Sequence, residues 1–121
     1  MAQEERDLLL KDLCARLPYH PIAHVEHDIV GLIETADLQV YGYEGNLKLL
    51  REDNETFCYL PIEECKLYLR PMSSMTEEER KYLQKLPFPY DFVDWLNAHY
   101  FDYCNLIAKG LALEATSEMY K

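Results

Sequence analysis

His20, His24 and His27 fall at an H-x3-H-x2-H spacing, with Glu26 and Asp28 beside them. Imidazole and carboxylate are ligands for zinc and nickel, so the residue types alone suggest a metal site. The local geometry argues against one. Side chains alternate faces along a strand, which sends His24 and His27 to opposite sides, and Pro21 separates His20 from both. The expectation is surface histidines and no metal. A second group, His99, Asp102 and Cys104, has the residue types of nucleophilic machinery. Such triads are usually assembled from distant segments, and closeness in sequence argues little. Asp102 reads more simply as the N-cap of a last helix, accepting from the amide of Cys104 or Asn105. His99 suits the C-terminal dipole of the helix before it.

Ser73, Ser74 and Thr76 precede an acidic run that would suit an acid-directed kinase, but a helix start explains the same residues. Gly31, Gly42, Gly45 and Gly110 have no phosphate-loop spacing. No residue is therefore assigned a catalytic, cofactor-binding or metal-binding role, and no cofactor is expected. Trp95, Tyr100, Phe101 and Tyr103 remain as an aromatic cluster. Core packing is the default for such residues. They are also the candidate interaction residues, because aromatics anchor protein partners.

The elements that must position these groups can be read from periodicity and punctuation. Residues 4–17 read as a helix with an apolar stripe of Leu10, Leu13, Cys14 and Leu17, acids at its start and Pro18 at its end. Residues 20–70 break into short apolar runs at 22–25, 29–33, 38–43, 47–51, 56–60 and 65–69. The clusters Glu44-Gly45-Asn46 and Glu52-Asp53-Asn54 are hairpin turns between them. Pro61-Ile62-Glu63-Glu64 can form one 3₁₀ turn before the last strand. Thr76 and Glu79 form a capping box that opens a helix, which Pro87 and Pro89 end. Asp91 is the expected cap of the next helix, with Phe92, Val93 and Leu96 on its core face and Trp95 beside them. A short last helix is expected over 103–109, with Gly110 as its C′ residue, and the tail 111–121 starts apolar and ends polar, so its end is expected to fray. The fold class is α+β in a single domain spanning 1–121: an N-terminal helix, a small antiparallel SH3-like barrel or bent sheet, then two to three helices within 76–110.

The chain of 121 residues is 49% apolar, enough to bury a core, and has no apolar run near the roughly 18 residues of a membrane span. Its polar, acidic start is no export signal, so the expected compartment is the cytoplasm and Cys14, Cys58, Cys65 and Cys104 are expected to be reduced. The net charge is −10. Residues 20–65 carry ten acids against Lys48 and Arg51, a net of −8. That region repels phosphate backbones, so neither nucleic acid nor membrane is an expected partner.

Three stretches carry a resemblance. They are Leu10-Lys11-Asp12-Leu13-Cys14-Ala15-Arg16-Leu17-Pro18-Tyr19, the run from Arg70-Pro71-Met72-Ser73-Ser74-Met75-Thr76 through Glu79, and the run from Asp94-Trp95-Leu96-Asn97-Ala98-His99-Tyr100-Phe101-Asp102-Tyr103 through Ala115. Together they resemble a family of small uncharacterised proteins of gut Bacteroidales and their phages and mobile elements. The resemblance touches both ends of the chain, leaves residues 20–60 unmatched, and implies no activity, cofactor or catalytic residue.

Enzymatic activity is left open, with a non-enzymatic protein-interaction module as the leading expectation and a protein of unknown identity as its partner. The alternative is an acidic, DNA-mimicking inhibitor of a nuclease or host-defence protein, to which the phage-related resemblance adds a little. A third reading is a hydrolase using His99 or Cys104.

Overall fold

The computed structural model describes residues 2–29, 32–116 and 118–120, and for residues 27–29 and 32–34 the backbone alone. The chain opens with α1 (Gln3–Arg16), which a 3₁₀ turn (Leu17–Tyr19) closes at Pro18. The strands β1 (Ile22–Ile29), β2 (Leu32–Tyr43), β3 (Leu47–Leu50) and β4 (Phe57–Leu60) follow. After the expected 3₁₀ turn (Ile62–Glu64) come β5 (Cys65–Leu69), a further 3₁₀ turn (Met72–Ser74), α2 (Glu77–Gln84), α3 (Pro89–Ala98) and β6 (Ala112–Glu114).

The expected order of helix, sheet and helices is observed, and the class is α+β. Among the described residues the six strands form one sheet in the order β4-β3-β2-β1-β5-β6. All pairings are antiparallel except β5 with β6. The sheet does not close into a barrel. β4 and β6 remain its two edges, and a bulge at Tyr41 bends β2 where the register shifts between Val40 and Gly42.

Alternation places Ala23 and Val25, Leu38 and Val40, Leu47 and Leu49, and Cys65, Leu67 and Leu69 on one buried face. α1 covers part of that face with Leu9 and Leu13. The stripe expected from Leu10, Leu13, Cys14 and Leu17 is out of phase. Leu9, Leu13 and Arg16 are buried at i, i+4 and i+7, whereas Cys14 is exposed and Leu10 and Leu17 are half-buried. Arg16 can sit inside because Asp12, one turn earlier, neutralises it through two hydrogen bonds of 2.8 and 3.0 Å.

The two turn clusters form as expected. Between β3 and β4 the Asp53 carboxylate accepts from the amides of Glu55 and Thr56 and from the Thr56 hydroxyl. Those bonds hold its pKa down to about 2. Asn54 takes the left-handed conformation the turn needs, at φ 60°.

Three expectations for the C-terminal third are corrected. Asp91 does not cap α3. Phe88 occupies the N-cap and Pro89 the first turn, because the proline's fixed φ starts the helix without a missing donor. Residues 103–109 form turns rather than a helix. The Asp102 carboxylate reaches past Cys104 and Asn105 to accept from the amides of Leu106 and Ile107, at 2.8 and 3.0 Å. The end of the tail is held at Tyr120 rather than frayed. Ala112–Glu114 pairs parallel to β5, and the Tyr120 hydroxyl accepts from the Ile22 amide and donates to the Tyr68 carbonyl.

Candidate functional site

His20 and His24 of the opening motif go to separate partners. His24 and Asp37 are directly opposite on β1 and β2, so their side chains share the solvent face. Nδ1 of His24 lies 2.9 Å from the Asp37 carboxylate and Nε2 lies 3.4 Å from Glu26. The hydrogen bond to Asp37 raises the imidazole pKa above its ordinary value. Tyr68 donates to the same Asp37 oxygen at 3.0 Å. His20 instead stacks on Tyr41 with ring centroids 4.0 Å apart. The His27 side chain lies outside the described residues. Among the described residues no three metal-ligating side chains converge.

His99, Asp102 and Cys104 are also engaged elsewhere. The His99 ring stacks on Trp95 at 4.2 Å, and burial lowers its pKa. Asp102 holds the 103–109 turns as described. Burial, reinforced by Asp12, raises the Cys104 pKa. A nucleophilic thiol needs the opposite shift. Ser74 donates its hydroxyl to the Pro71 carbonyl, and Thr76 accepts from the Glu79 amide as the capping-box partner.

The four candidate interaction aromatics divide. Phe101 is fully buried in a small second core with Leu83 and Leu96, under the Arg70 guanidinium at 4.1 Å. Tyr103 packs at the edge of that core and donates to Asn97. Tyr100 stacks on Tyr120 at 3.7 Å and donates its hydroxyl to the Tyr19 carbonyl. Trp95 is half-buried, stacked between His99 and Phe101. Phe101 and Tyr103 therefore serve the core, Tyr100 ties the tail, and Trp95 alone also reaches toward the surface aromatics of α2 and α3.

Those surface aromatics are residues that the sequence reading left aside or placed in the core. Phe92 and Val93 are exposed, against the expected core face of α3. Leu96 and Asn97, in the C-terminal half of α3, are buried instead. Phe88, Phe92, Trp95 and His99 follow helical spacing along one side. Phe88 and Tyr90, 53% and 65% exposed, stack face to face with centroids 5.4 Å apart. Tyr82 of α2 lies against Trp95 at 6.1 Å and is itself exposed. The stretch Pro87-Phe88-Pro89-Tyr90 holds a sequence signal for this surface. Two prolines stiffen the chain around aromatics that have no periodic core partner.

The described acids of 20–65 fall in several places. Glu26 and Asp37 flank His24, Glu63 and Glu64 in the 3₁₀ turn before β5 line the same hollow as His24 and Glu26, Glu44 lies in the β2–β3 turn, and Glu52, Asp53 and Glu55 lie in the β3–β4 turn at the opposite end of β3. No family model, curated protein or solved structure matches this chain. Among the described residues no helix is long and apolar enough to cross a membrane.

Proposed function

We propose that the protein is a non-enzymatic interaction module that docks a partner protein on the aromatic surface of α2 and α3. The observation that carries this reading is the exposure of Tyr82, Phe88, Tyr90, Phe92 and Val93 on and beside two short helices, with Phe88 stacked on Tyr90 and Tyr82 against Trp95. Single exposed apolar residues need no explanation, but several large ones on two adjoining short elements mark a surface that gains by being covered. Aromatic side chains bring large contact area at small entropic cost and dominate hot spots. Asp91 and Asp94 stand on the same helix, and the chain as a whole is at −10. The partner is therefore a protein with an apolar patch in basic surroundings, so that charge steers the encounter. The DNA-mimic alternative gains no support from acids lying at opposite ends of β3. Hydrolysis by His99 or Cys104 gains none from a stacked imidazole and a thiol of raised pKa.

The test is capture from cells that make the protein, comparing wild type with the double variant Phe88→Ser/Phe92→Ser. Both positions are exposed, so the variant is expected to keep the wild-type unfolding midpoint. The expected result is a discrete protein retained stoichiometrically by wild type and lost by the double variant. Equal retention by both would place the interaction elsewhere.

A further inference from the structure

We infer that the open edge of β4 takes up a second, different partner: an extended peptide segment with alternating apolar and basic residues. The hairpin closes with the Arg51 amide donating to the Thr56 carbonyl at 2.9 Å. In an antiparallel ladder hydrogen-bonded pairs alternate with non-bonded ones. The register Leu49↔Cys58 and Leu47↔Leu60 therefore turns the amides of Cys58 and Leu60 toward β3. Those of Phe57 and Tyr59 face outward. The Phe57 carbonyl receives a long bond of 3.4 Å from Arg51 Nε. The Phe57 amide and both backbone groups of Tyr59 have no partner among the described residues.

Edge strands are usually protected by a charge, a proline or a covering loop. β4 reads Phe57-Cys58-Tyr59-Leu60, has neither charge nor proline within it, and pairs only with β3 among the described residues. Beside this edge a cavity of about 730 Å³ opens, lined by no residue of α1. Its apolar lining is Val25, Ala36, Leu38, Cys58 and Leu60, and Arg51, Glu52 and Asp53 are among its polar lining. A strand added to β4 keeps the alternation of faces. Its residues opposite Cys58 and Leu60 point into this cavity, and apolar side chains fit that apolar lining. Its residues opposite Phe57 and Tyr59 point to the other face, where Phe57 already holds the Lys48 ammonium 4.3 Å from its ring centroid and meets Tyr41 edge-on. Cations suit that aromatic face. Glu52, Asp53 and Glu55 in the turn before β4 outnumber Lys48 and Arg51 and favour a basic segment, with Asp53 kept ionised by its turn bonds. This is strand addition: main-chain bonds supply affinity and alternate side chains supply selectivity.

A capped seven-residue peptide alternating valine and lysine is the probe, titrated against isotopically labelled full-length protein. The expected result is saturable amide shifts at Phe57 and Tyr59, slowed hydrogen exchange at both, and methyl shifts at Val25 and Leu38. A peptide alternating valine and glutamate is expected to bind at least tenfold more weakly. Tyr59→Pro removes a donor that the fold does not use and is expected to abolish binding. A lysine–valine peptide N-methylated on the amides that would face β4 tests the same bonds without altering the protein. Phe88→Ser/Phe92→Ser is expected to bind the probe as wild type does, which separates this site from the α3 surface. No shift at millimolar peptide, equal binding of the acidic peptide, or undiminished binding of the N-methylated peptide would each overturn the proposal.

Discussion

Asp12 and Arg16, one helical turn apart on α1, form an ion pair whose side chains have no solvent exposure. The pair does more than neutralise itself. Arg16 Nη2 also donates to the Phe101 carbonyl at 2.6 Å, and its guanidinium lies 5.2 Å from the Tyr103 ring centroid. The N-terminal helix is thus bound to the segment that follows α3. One nitrogen, Nη1, is buried without a hydrogen-bond partner among the described residues. Asp12→Ala should therefore cost about 3–5 kcal/mol, because it leaves the guanidinium buried and uncompensated. Replacing both residues together by leucine and methionine should recover most of that loss. Urea unfolding of the three proteins checks this. A single-variant loss under about 1 kcal/mol would mean that water reaches Arg16.

The buried phase of α1 makes a second prediction. Leu9→Ala and Leu13→Ala should each cost about 2–5 kcal/mol, since both side chains are fully enclosed against the sheet. Cys14→Ala should be nearly neutral, because Cys14 is exposed. Denaturant midpoints rank the three. A Cys14→Ala loss matching Leu13→Ala would restore the stripe read from sequence.

That stripe shows where the sequence was legible and where it was not. Features fixed by neighbours within four residues are legible in the sequence: the Thr76–Glu79 capping box, the Asp53 turn and the 3₁₀ turn after Pro61. The phase of α1 was ambiguous because Leu8, Leu9 and Leu10 are consecutive, and it was settled by charges that pair inside the protein. β6 depends on pairing with β5 more than forty residues earlier, which no local pattern announces. The aromatics Trp95, Tyr100, Phe101 and Tyr103 are close in sequence but divide in space, which no local pattern announces: Phe101 is fully buried with the Arg70 guanidinium over its ring, whereas Phe88 and Tyr90 are exposed and stack on each other.

Acid stability should depend on Glu79. Both of its oxygens accept from Arg70, at 2.7 and 2.8 Å, and one also accepts from the Thr76 amide. These bonds, the Arg70 pair foremost, hold its pKa down to about 2. A carboxyl with a folded pKa below its unfolded value stabilises above the unfolded value, near 4.3. That contribution is lost as pH falls from there toward 2. Glu79→Gln should lower stability at pH 7 and flatten the decline between about pH 5 and 2. Parallel acid limbs for variant and wild type would show that Arg70 does not hold Glu79 in solution.

The described histidines with resolved shifts should move in opposite directions. Asp37 raises the His24 pKa, so its stabilising contribution is complete below the unfolded value, near 6.5, and disappears as pH rises through the higher folded value. Burial lowers the His99 pKa, so protonating it below about pH 6.5 works against the folded state. Imidazole resonances followed against pH should titrate above the ordinary value for His24 and below it for His99. His24→Gln should remove the first and leave the second. A reversed order would contradict both placements.

Trp95 is the only tryptophan, so its fluorescence reports on the junction between the second core and the aromatic surface. Its ring is stacked with His99 at 4.2 Å and Phe101 at 5.7 Å, and Tyr82 covers it at 6.1 Å. Three ring neighbours exclude much of the water, so native emission should be blue-shifted and should move red on unfolding. Truncation to alanine removes those stacks and opens space above the fully buried Phe101, a loss of about 3–5 kcal/mol for an aromatic of this size. Phe88 and Tyr90 lie at the other end of α3 and stack on each other. Phe88→Ser/Phe92→Ser should therefore leave the unfolding midpoint near that of wild type and the emission blue-shifted. Combining Trp95→Ala with Tyr82→Ala should cost less than the separate losses together, since the rings are in contact. Native emission at the fully solvated wavelength, with a Trp95→Ala midpoint equal to wild type, would mean that the indole is not packed on Phe101. Trp95 would then belong wholly to the docking surface.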